Sequence, residues 1–306
     1  MLIKRERRGR VIVGCLLPFS LWRVMMKYLG LFILLFSSSI ITVAANQDSI
    51  RIEQWLDKAA YLPRDSCRTL HFARLMMGIP YASGTLDVGE CEELVVHTDC
   101  ADCTTFVETV LALTIADASG CRTYDGFKSA LSSLRYRNGV MGGYASRLHY
   151  FSDWIADNSR RGHIAECTSQ TIFACTMVLN LDFMSTHPDS YAPLRRDPSL
   201  VALIAHTETA WKDVQVPYIP KESLHLPSSS LSIRNGDILA ITTGIKGLDV
   251  VHVGFAFWRY NRLYLLHASS SAGKVVEESR PLFEYSQVKK SHTGVRVIRW
   301  LNKYTR

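Results

Sequence analysis

Beyond its first 27 residues, this 306-residue chain carries little net charge, and it contains no internal repeat and no clear linker. The formal net charge is +7, but seven Lys and Arg residues against one Glu in those first 27 residues account for six of the positive charges. A nucleic-acid partner is not expected, because the rest of the chain lacks the basic excess that phosphate binding needs. The absence of repeats and linkers predicts a single domain over residues 46–306.

The first 45 residues have the composition of a leader. The stretch from Tyr28 to Ala44 is almost wholly apolar, Lys27 precedes it, and small residues follow where a signal peptidase would cut. A membrane anchor is the alternative, since the stretch is close to the lower length limit of a spanning helix. We predict that residues 1–45 are a signal peptide and that the mature chain has no membrane span.

The segment before Lys27 adds a second charged and apolar run to a signal that is already complete. We therefore expect translation to begin at Met25 or Met26. The leader predicts an exported protein, periplasmic or secreted, in a compartment where disulfides can form.

The number of cysteines after the predicted leader is odd. An exported chain with seven cysteines leaves at least one thiol unpaired unless a bridge forms between chains. We expect Cys103 to be that thiol. The others could form up to three bridges of unassigned connectivity or remain buried thiols, and they are Cys67, Cys91, Cys100, Cys121, Cys167 and Cys175.

Cys103 lies where a strand-like run, Leu94-Val95-Val96, gives way to a segment with helical periodicity. Asp102 is placed to cap the helix, whose first amide N–H groups favour a thiolate at Cys103. For an arbitrary cysteine, a buried small hydrophobe or half of a disulfide is the commoner explanation. Two histidines later in the chain favour a nucleophile instead.

The order of predicted elements indicates an α+β fold, with helices first and an antiparallel sheet last. Besides the helix after Cys103, apolar periodicity predicts helices at residues 50–62, 66–77, 124–136, 147–158 and 200–211. Proline-rich sequence predicts mostly loop at residues 187–234. Runs rich in β-branched and aromatic residues predict strands at residues 237–243, 250–258, 262–267 and 295–300.

Two of these strands flank a turn at Tyr260-Asn261 and predict a hairpin that brings two histidines together. Its register pairs residues whose numbers sum to about 521, so Gly254 faces His267 and His252 lies two residues along on the same face. Diagonal neighbours are close enough for the imidazoles to interact. A slip of one residue would place them on opposite faces.

Six short motifs follow one another along the chain, and they are Gly78-Ile79-Pro80-Tyr81, Gly84-Thr85-Leu86, Asp102-Cys103, Gly236-Asp237, His252-Val253-Gly254 and His267-Ala268-Ser269. In type and order they resemble the motifs of the NlpC and p60 type of papain-like cell-wall cysteine peptidases. Two further runs are Thr104-Thr105-Phe106-Val107-Glu108 and residues 143–150, Gly-Tyr-Ala-Ser-Arg-Leu-His-Tyr. With these runs the chain looks like the N-acetylmuramoyl-L-alanine amidase-like branch of that superfamily, which carries the unknown-function label 1460.

The resemblance implies a papain-like fold with the catalytic cysteine at a helix N-terminus. It implies Cys103 as the nucleophile, His252 as the base that takes its proton, and His267 as the polar group that orients His252. Tyr81 falls where the superfamily has an aromatic residue next to the thiol, which suits oxyanion stabilisation.

One further residue and one departure from the pattern affect the expected substrate. Arg147 is expected to contact a substrate carboxylate, because a guanidinium binds one bidentately, with an ordinary salt bridge as the alternative. The superfamily commonly has Ser-Gly after its Asp-Cys, where this chain has Thr104-Thr105. The departure favours the narrower branch.

The predicted function is hydrolysis of the amide between N-acetylmuramic acid and L-alanine, in peptidoglycan or its released muropeptides. Catalysis would proceed through a thioester and would need no cofactor or metal. An endopeptidase that cuts within the stem peptide with the same three residues is the nearest alternative.

Two alternatives from other classes use the same cysteines. Cys100-Ala101-Asp102-Cys103 is a C-x-x-C at a helix start, as in thioredoxin-like redox proteins, but that interpretation gives His252 and His267 no role. His97, Cys100 and Cys103 have spacing that could suit zinc, but a fourth ligand at useful spacing is not apparent.

Overall fold

The computed structural model describes residues 47–63, 65–87 and 89–304. The predicted leader, residues 1–45, and the predicted start at Met25 or Met26 lie outside the described residues. In the described ranges, no helix combines the length and the apolar character that a membrane crossing requires. Residues from Asp48 to Arg306 cluster into one compact unit.

Helices dominate the first half of this unit. Residues 47–60 are helical (α1), and four more helices follow before the first strand: α2 (Arg68–Leu75), α3 (Cys103–Ala118), α4 (Tyr124–Arg135) and α5 (Phe151–Arg160). The central helix is α3, in which 13 of 16 residues are buried. A helix that is buried on all sides belongs to the interior of a domain, so α3 holds its first residue, Cys103, in a fixed place.

Strands and short helices make up the second half. The helices are α6 (Phe183–Thr186), α7 (Ala192–Arg196), α8 (Ser199–Thr209), α9 (Ser228–Leu231) and α10 (Leu282–Gln287). The strands are β1 (Ile164–Glu166), β2 (Cys175–Leu179), β3 (Val214–Pro220), β4 (Ile238–Thr243), β5 (Val250–Arg259), β6 (Arg262–Ser269), β7 (Lys274–Glu277) and β8 (His292–Trp300). The predicted α+β class is confirmed.

All of the strands join one antiparallel sheet, in the order β2-β3-β8-β4-β5-β6-β7, with β1 paired to β8 beside that path. The central strand β4 is buried along its whole length. Helix α3 packs against this sheet, and the rings of Phe106 and Phe255 meet edge to face with their centroids 5.6 Å apart. The start of α3 is thereby fixed against β5, the strand that carries His252.

The hairpin of β5 and β6 has the predicted register. Phe255 pairs with Leu266, so the residue numbers sum to the expected value. The two-residue turn consists of Tyr260 and Asn261, whose φ angles are +50° and +58°. Positive φ at both central residues is the geometry of a type I′ turn, which matches the right-handed twist of a tight hairpin.

The strand-like run Leu94-Val95-Val96 does not form a strand. The segment has no regular secondary structure and joins no sheet. The Val95 carbonyl oxygen accepts a hydrogen bond from the Arg135 side chain at 2.7 Å, and the oxygen of Glu93, just before the run, accepts one from Tyr136 at 3.1 Å. An apolar run predicts burial, but it does not say which groups satisfy the backbone.

The loop predicted over residues 187–234 also needs correction, because strand β3 lies within it. β3 contains Pro217 and Pro220, which argued against a strand. Among the described residues, β3 pairs with β2 from Val214 to Tyr218 and with β8 only through its last two residues. A strand with one neighbour along most of its length loses few ladder hydrogen bonds to a missing proline N–H.

Candidate functional site

Cys103 is the first residue of α3, and a capping box fixes it there. The Asp102 carboxylate accepts a hydrogen bond from the Thr105 N–H at 2.8 Å, and the Thr105 hydroxyl accepts one from the Asp102 N–H at 2.9 Å. Thr105 therefore does what Glu or Gln does in the usual capping box. Thr105, one of the two residues that depart from the superfamily pattern, therefore completes the cap of α3.

The surroundings of Cys103 keep its thiol protonated at neutral pH. Burial, and next the carboxylate of Asp102, raise the pKa of the Cys103 thiol to about 11. The N–H groups of Val253 and of Cys103 itself, together with the Thr104 hydroxyl, act in the opposite direction. The predicted thiolate-favouring contribution of the helix start is present, but burial and Asp102 outweigh it.

His252 and His267 are in direct contact across the hairpin. The Nε2 atom of His252 lies 2.5 Å from the Nδ1 atom of His267, and the two rings are nearly perpendicular, at 86°. His267 is fully buried, whereas His252 is partly buried. The predicted meeting of the two imidazoles is confirmed, and their catalytic roles stay predictions.

Gly254 makes this contact possible. A Cβ atom at Gly254 would lie 2.7 Å from the Leu266 carbonyl oxygen and 2.9 Å from the His267 Cβ. Real Cβ atoms do not approach other atoms that closely, so any side chain here would push β5 and β6 apart. The glycine two residues after His252 therefore lets the strands bring the imidazoles together.

Both imidazoles are neutral at neutral pH. Burial lowers the pKa of His252 to about 3, with smaller contributions from His267, His292 and Lys289. Burial also lowers the pKa of His267 to about 4, although the carboxylate of Glu278 acts in the opposite direction. A neutral His252 has one ring nitrogen free to accept a proton, which a general base requires.

Cys103 and His252 line one cleft of about 170 Å³, between the start of α3 and the first residues of β5. Four further polar residues that the sequence analysis did not single out line it as well: His149, Tyr150, Tyr191 and Asp249. Asp249 connects α5 to the start of β5 at the wall of the cleft. Its two carboxylate oxygens accept hydrogen bonds from the Ser152 N–H at 2.6 Å and the Val250 N–H at 2.8 Å.

His149 is a neutral donor beside this cleft. Its Nε2–H donates to the Tyr144 carbonyl oxygen at 2.9 Å. Burial, and next the charge of Arg147, lower the pKa of His149 to about 3. The sequence held one indication of His149, its place in the run at residues 143–150. The resemblance rests on that run as a unit and did not identify His149 separately.

Tyr81 lies near Cys103, as the resemblance implied. Its N–H donates to the Gly273 carbonyl oxygen at 2.9 Å, and its backbone bridges to Ala101. Burial, then the charges of Cys103 and Asp102, raise the pKa of the Tyr81 phenol, so the group is a neutral hydrogen-bond donor.

Arg147 lies elsewhere. Its guanidinium is bidentate to Glu92, at 2.9 and 2.6 Å, and also donates to Asp87 at 2.8 Å. It lines a second cavity of about 540 Å³ and is not among the residues that line the Cys103 cleft. The chain's own carboxylates already occupy the fork, so the geometry matches the salt-bridge alternative and does not support the expected contact with a substrate carboxylate.

The remaining cysteines form no bridge, since the seven described cysteines are free thiols. In the described ranges, the atoms that could share a metal ion belong to His97, Asp99 and Cys100, which lie within 4.8 Å of one another. Cys103 is not part of this group, although spacing alone had placed it with His97 and Cys100. Burial, and next the charge of Asp99, raise the pKa of Cys100.

Comparisons with known proteins identify the family of the chain. The AmiA-like family, described as N-acetylmuramoyl-L-alanine amidase-like, matches residues 71–295. A crystal structure of an N-acetylmuramoyl-L-alanine amidase from Bacteroides uniformis is 39% identical, covers 76% of this chain and 97% of its own, and has a TM-score of 0.72. Among curated proteins, none matches this chain.

Two other solved structures carry different descriptions. A Bacteroides fragilis protein, provisionally described as a xylanase, is 41% identical, with 74% of this chain and 98% of its own covered and a TM-score of 0.70. A Legionella pneumophila protein of the family DUF1460 is 25% identical, with 85% and 96% covered and a TM-score of 0.65. The resemblance to the branch labelled 1460 is confirmed, and the chain belongs to the AmiA-like, N-acetylmuramoyl-L-alanine amidase-like family.

Proposed function

We propose that this protein is a cysteine hydrolase that cleaves the amide between N-acetylmuramic acid and L-alanine in peptidoglycan or muropeptides. One observation carries the proposal: the thiol of Cys103 and the imidazole of His252 share one cleft, and His267 holds the far nitrogen of His252 at 2.5 Å. A nucleophile, a base and an orienting group are the parts that acyl transfer needs. The Bacteroides uniformis relative, described as an amidase that acts on this bond, supports the substrate.

The chemistry follows from the protonation states. Because His252 Nε2 is engaged by His267, its Nδ1 is the nitrogen that accepts the proton of Cys103. The sulfur attacks the carbonyl carbon as that proton moves, since a free thiolate is disfavoured in this surrounding. The amine of L-alanine leaves with the proton from His252, and a thioester remains on Cys103. Water, deprotonated by the same histidine, then attacks the thioester and restores the thiol.

Three groups could stabilise this reaction. The N–H groups of Cys103 and Val253 favour negative charge on the sulfur. Tyr81 is a neutral donor near Cys103, suited to the oxyanion of the tetrahedral intermediate. The proposal includes membership of the papain-like superfamily of NlpC and p60 peptidases, because a cysteine at a helix start and a histidine on a strand that lines the same cleft are what the resemblance implied.

A glycosidase is a poorer candidate for this cleft. Glycoside hydrolysis usually needs two carboxyl groups on either side of the scissile bond. Of the described residues that line the cleft, Asp249 is the one with a carboxylate, and backbone N–H groups engage both of its oxygens. The provisional xylanase description of one relative therefore finds no counterpart in the chemistry of this site.

Product masses test the proposal. The purified protein without its leader is incubated with a muropeptide that carries a complete stem peptide, and the products are identified by mass spectrometry. We expect free N-acetylmuramic acid and a stem peptide that begins with L-alanine. A product that keeps L-alanine on the sugar would indicate the endopeptidase, and an intact muropeptide together with disulfide reductase activity would indicate the redox alternative.

We also propose that the protein works outside the cytoplasmic membrane, in the periplasm or after secretion, because the leader directs it to where its substrate lies. Muropeptides are then its partners, and no nucleic acid is expected to bind. The same substrate gives no reason for a metal or an organic cofactor in the reaction.

A further inference from the structure

The direction of the hydrogen bond between His252 and His267 decides whether His252 can act as a base. Nδ1 of His252 must be unprotonated to accept the proton of Cys103, so in the neutral ring the proton is on Nε2. That Nε2–H then donates to Nδ1 of His267, 2.5 Å away. His267, also neutral, must in turn carry its own proton on Nε2.

The Nε2 atom of His267 needs a hydrogen-bond acceptor, and the expected catalytic residues do not supply one. This atom is fully buried and has no hydrogen-bond partner among the described residues. The carboxylate of Glu278 lies 3.9 Å from it, on a side chain that is only 11% exposed. A shift of about 1 Å would turn this contact into a hydrogen bond. A buried N–H without a partner is costly, which favours that approach.

The surroundings of Glu278 present one of its oxygens to His267. Its N–H donates to the Leu265 carbonyl oxygen at 2.8 Å, which ties its backbone to β6. Its Oε1 accepts from Arg280 at 3.2 Å, and this leaves Oε2 as the atom near His267. Tyr285, on α10, packs its ring against that of His267 at 5.6 Å and also lies under the Arg280 guanidinium.

We propose that Glu278 is a positioning residue that holds the His267 proton on Nε2 and so keeps Nδ1 of His252 free for the proton of Cys103. The proposal rests on the proposed roles of Cys103 and His252. It adds a carboxylate at the end of the chain Cys103–His252–His267. When the proton of Cys103 reaches His252, the negative charge of Glu278 stabilises the resulting imidazolium.

Charges on the other packed elements act against this stabilisation. Besides burial and His267, the pKa of His252 is lowered by His292, the first residue of β8, and by Lys289, which lies between α10 and β8. Glu278 raises the pKa of His267, and Arg280 partly offsets its charge. Tyr285 contributes a neutral phenol, because burial raises its pKa. Glu278 is therefore the carboxylate that favours a proton on the histidine pair.

Alkylation of Cys103 provides a test that needs no muropeptide. The rate of carboxamidomethylation of the Cys103 peptide by iodoacetamide is followed by mass spectrometry across pH for the parent, Glu278→Gln and Glu277→Gln. Glu278→Gln removes the charge, so we expect alkylation near neutral pH to fall by about tenfold and its midpoint to move to higher pH. Glu278→Asp, which keeps the charge, should recover part of the rate.

Glu277→Gln is the matched control. Its carboxylate lies one residue away and pairs with Arg74 and Arg259, so it should leave the profile within about twofold of the parent. An unchanged profile in Glu278→Gln, or an equal change in both variants, would overturn the proposal.

The tautomers give a second readout on the parent itself. Nitrogen-15 NMR of the histidine rings should place the proton of both His252 and His267 on Nε2. A proton on Nδ1 of His267 would contradict the proposal even if Glu278→Gln does not fold. If the parent cleaves no muropeptide but shows the expected tautomers and alkylation profiles, the proposed function fails and the role of Glu278 in setting the histidine pair stands.

Discussion

At the scale of single residues, Cys103 and His252 line the same cleft, and both are neutral at neutral pH. Burial raises the pKa of the thiol to about 11 and lowers that of the imidazole to about 3. Both shifts disfavour charge, so a stable thiolate–imidazolium pair does not form before substrate binds. In the proposed mechanism the proton moves during attack on the carbonyl, when the N–H groups of Cys103 and Val253, which favour negative charge on the sulfur, would stabilise it.

This pair predicts activity that persists in mild acid. His252 acts as a base only when neutral, and its pKa is lowered, so the neutral form persists as pH falls until the pH approaches about 3. At about pH 5 we expect kcat/KM on a muropeptide to remain above half of its value at neutral pH. A histidine with an ordinary pKa would leave only about 3% of its neutral form at that pH. An acid limb centred near the ordinary pKa would contradict the account.

His267 should tune the base without being the base. His267→Ala removes the acceptor for the His252 Nε2–H and should lower turnover by about 100-fold, in the range of a lost catalytic proton-transfer contribution. His267→Asn and His267→Gln supply a carbonyl oxygen that can accept the same hydrogen bond, so each should recover part of the rate. Turnover on one muropeptide, with thermal melting as the fold check, measures this. If the three variants are equally slow, the orienting role fails.

At the scale of elements, the β5–β6 hairpin was predictable and the segment before α3 was not. The turn at Tyr260 and Asn261 and the flanking runs rich in β-branched and aromatic residues specify the hairpin locally, so the register that joins His252 to His267 could be predicted from sequence. Leu94-Val95-Val96 carries no such local signal. Its Val95 carbonyl accepts from the side chain of Arg135, on the distant helix α4, and no pattern within the segment predicts that partner.

The hairpin also predicts the effect of one small substitution. Gly254→Ala places a Cβ against the Leu266 carbonyl and His267, so we expect a loss of about 1–3 kcal/mol in the free energy of unfolding, together with lower activity. Gly244→Ala is the control, because the nearest atom to its added Cβ is 3.7 Å away, which is ordinary contact. Urea unfolding of both variants measures the difference. Equal free energies of unfolding for the two variants would show that β5 and β6 accommodate the added Cβ without loss of stability.

The candidate residues also differ in whether the sequence could predict them. The resemblance motifs predicted Cys103, His252 and His267, because each lies in a short run with a recognisable neighbour. Glu278 and Arg147 depend on contacts with residues that are distant in the sequence or lie on another element. A sequence shows that an arginine can bind a carboxylate, but only the fold shows that Glu92 and Asp87 already occupy it.

At the scale of the whole molecule, the fold brings the buried helix α3 against a sheet whose middle strands carry the histidines. Family membership extends over residues 71–295, which include both ends of this arrangement. Residues 1–45 lie outside the matched range and the described residues, so the signal peptide stays a prediction.

N-terminal sequencing of the protein from its native host tests the leader. We expect a mature chain that begins close to Gln47, because the apolar run ends in small residues that suit a signal peptidase. A chain that keeps Met1, Met25 or Met26 would contradict cleavage and, with it, the proposed route of export.

The central claim is that Cys103, and not its neighbour Cys100, attacks the amide of N-acetylmuramoyl-L-alanine. The most direct measurement compares release of free N-acetylmuramic acid from one muropeptide by the parent, Cys103→Ala and Cys100→Ala, with thermal melting to confirm that each is folded. We predict no detectable release by Cys103→Ala and at least half of the parent rate by Cys100→Ala. Release by folded Cys103→Ala at the parent rate, or none by folded Cys100→Ala, would contradict the claim.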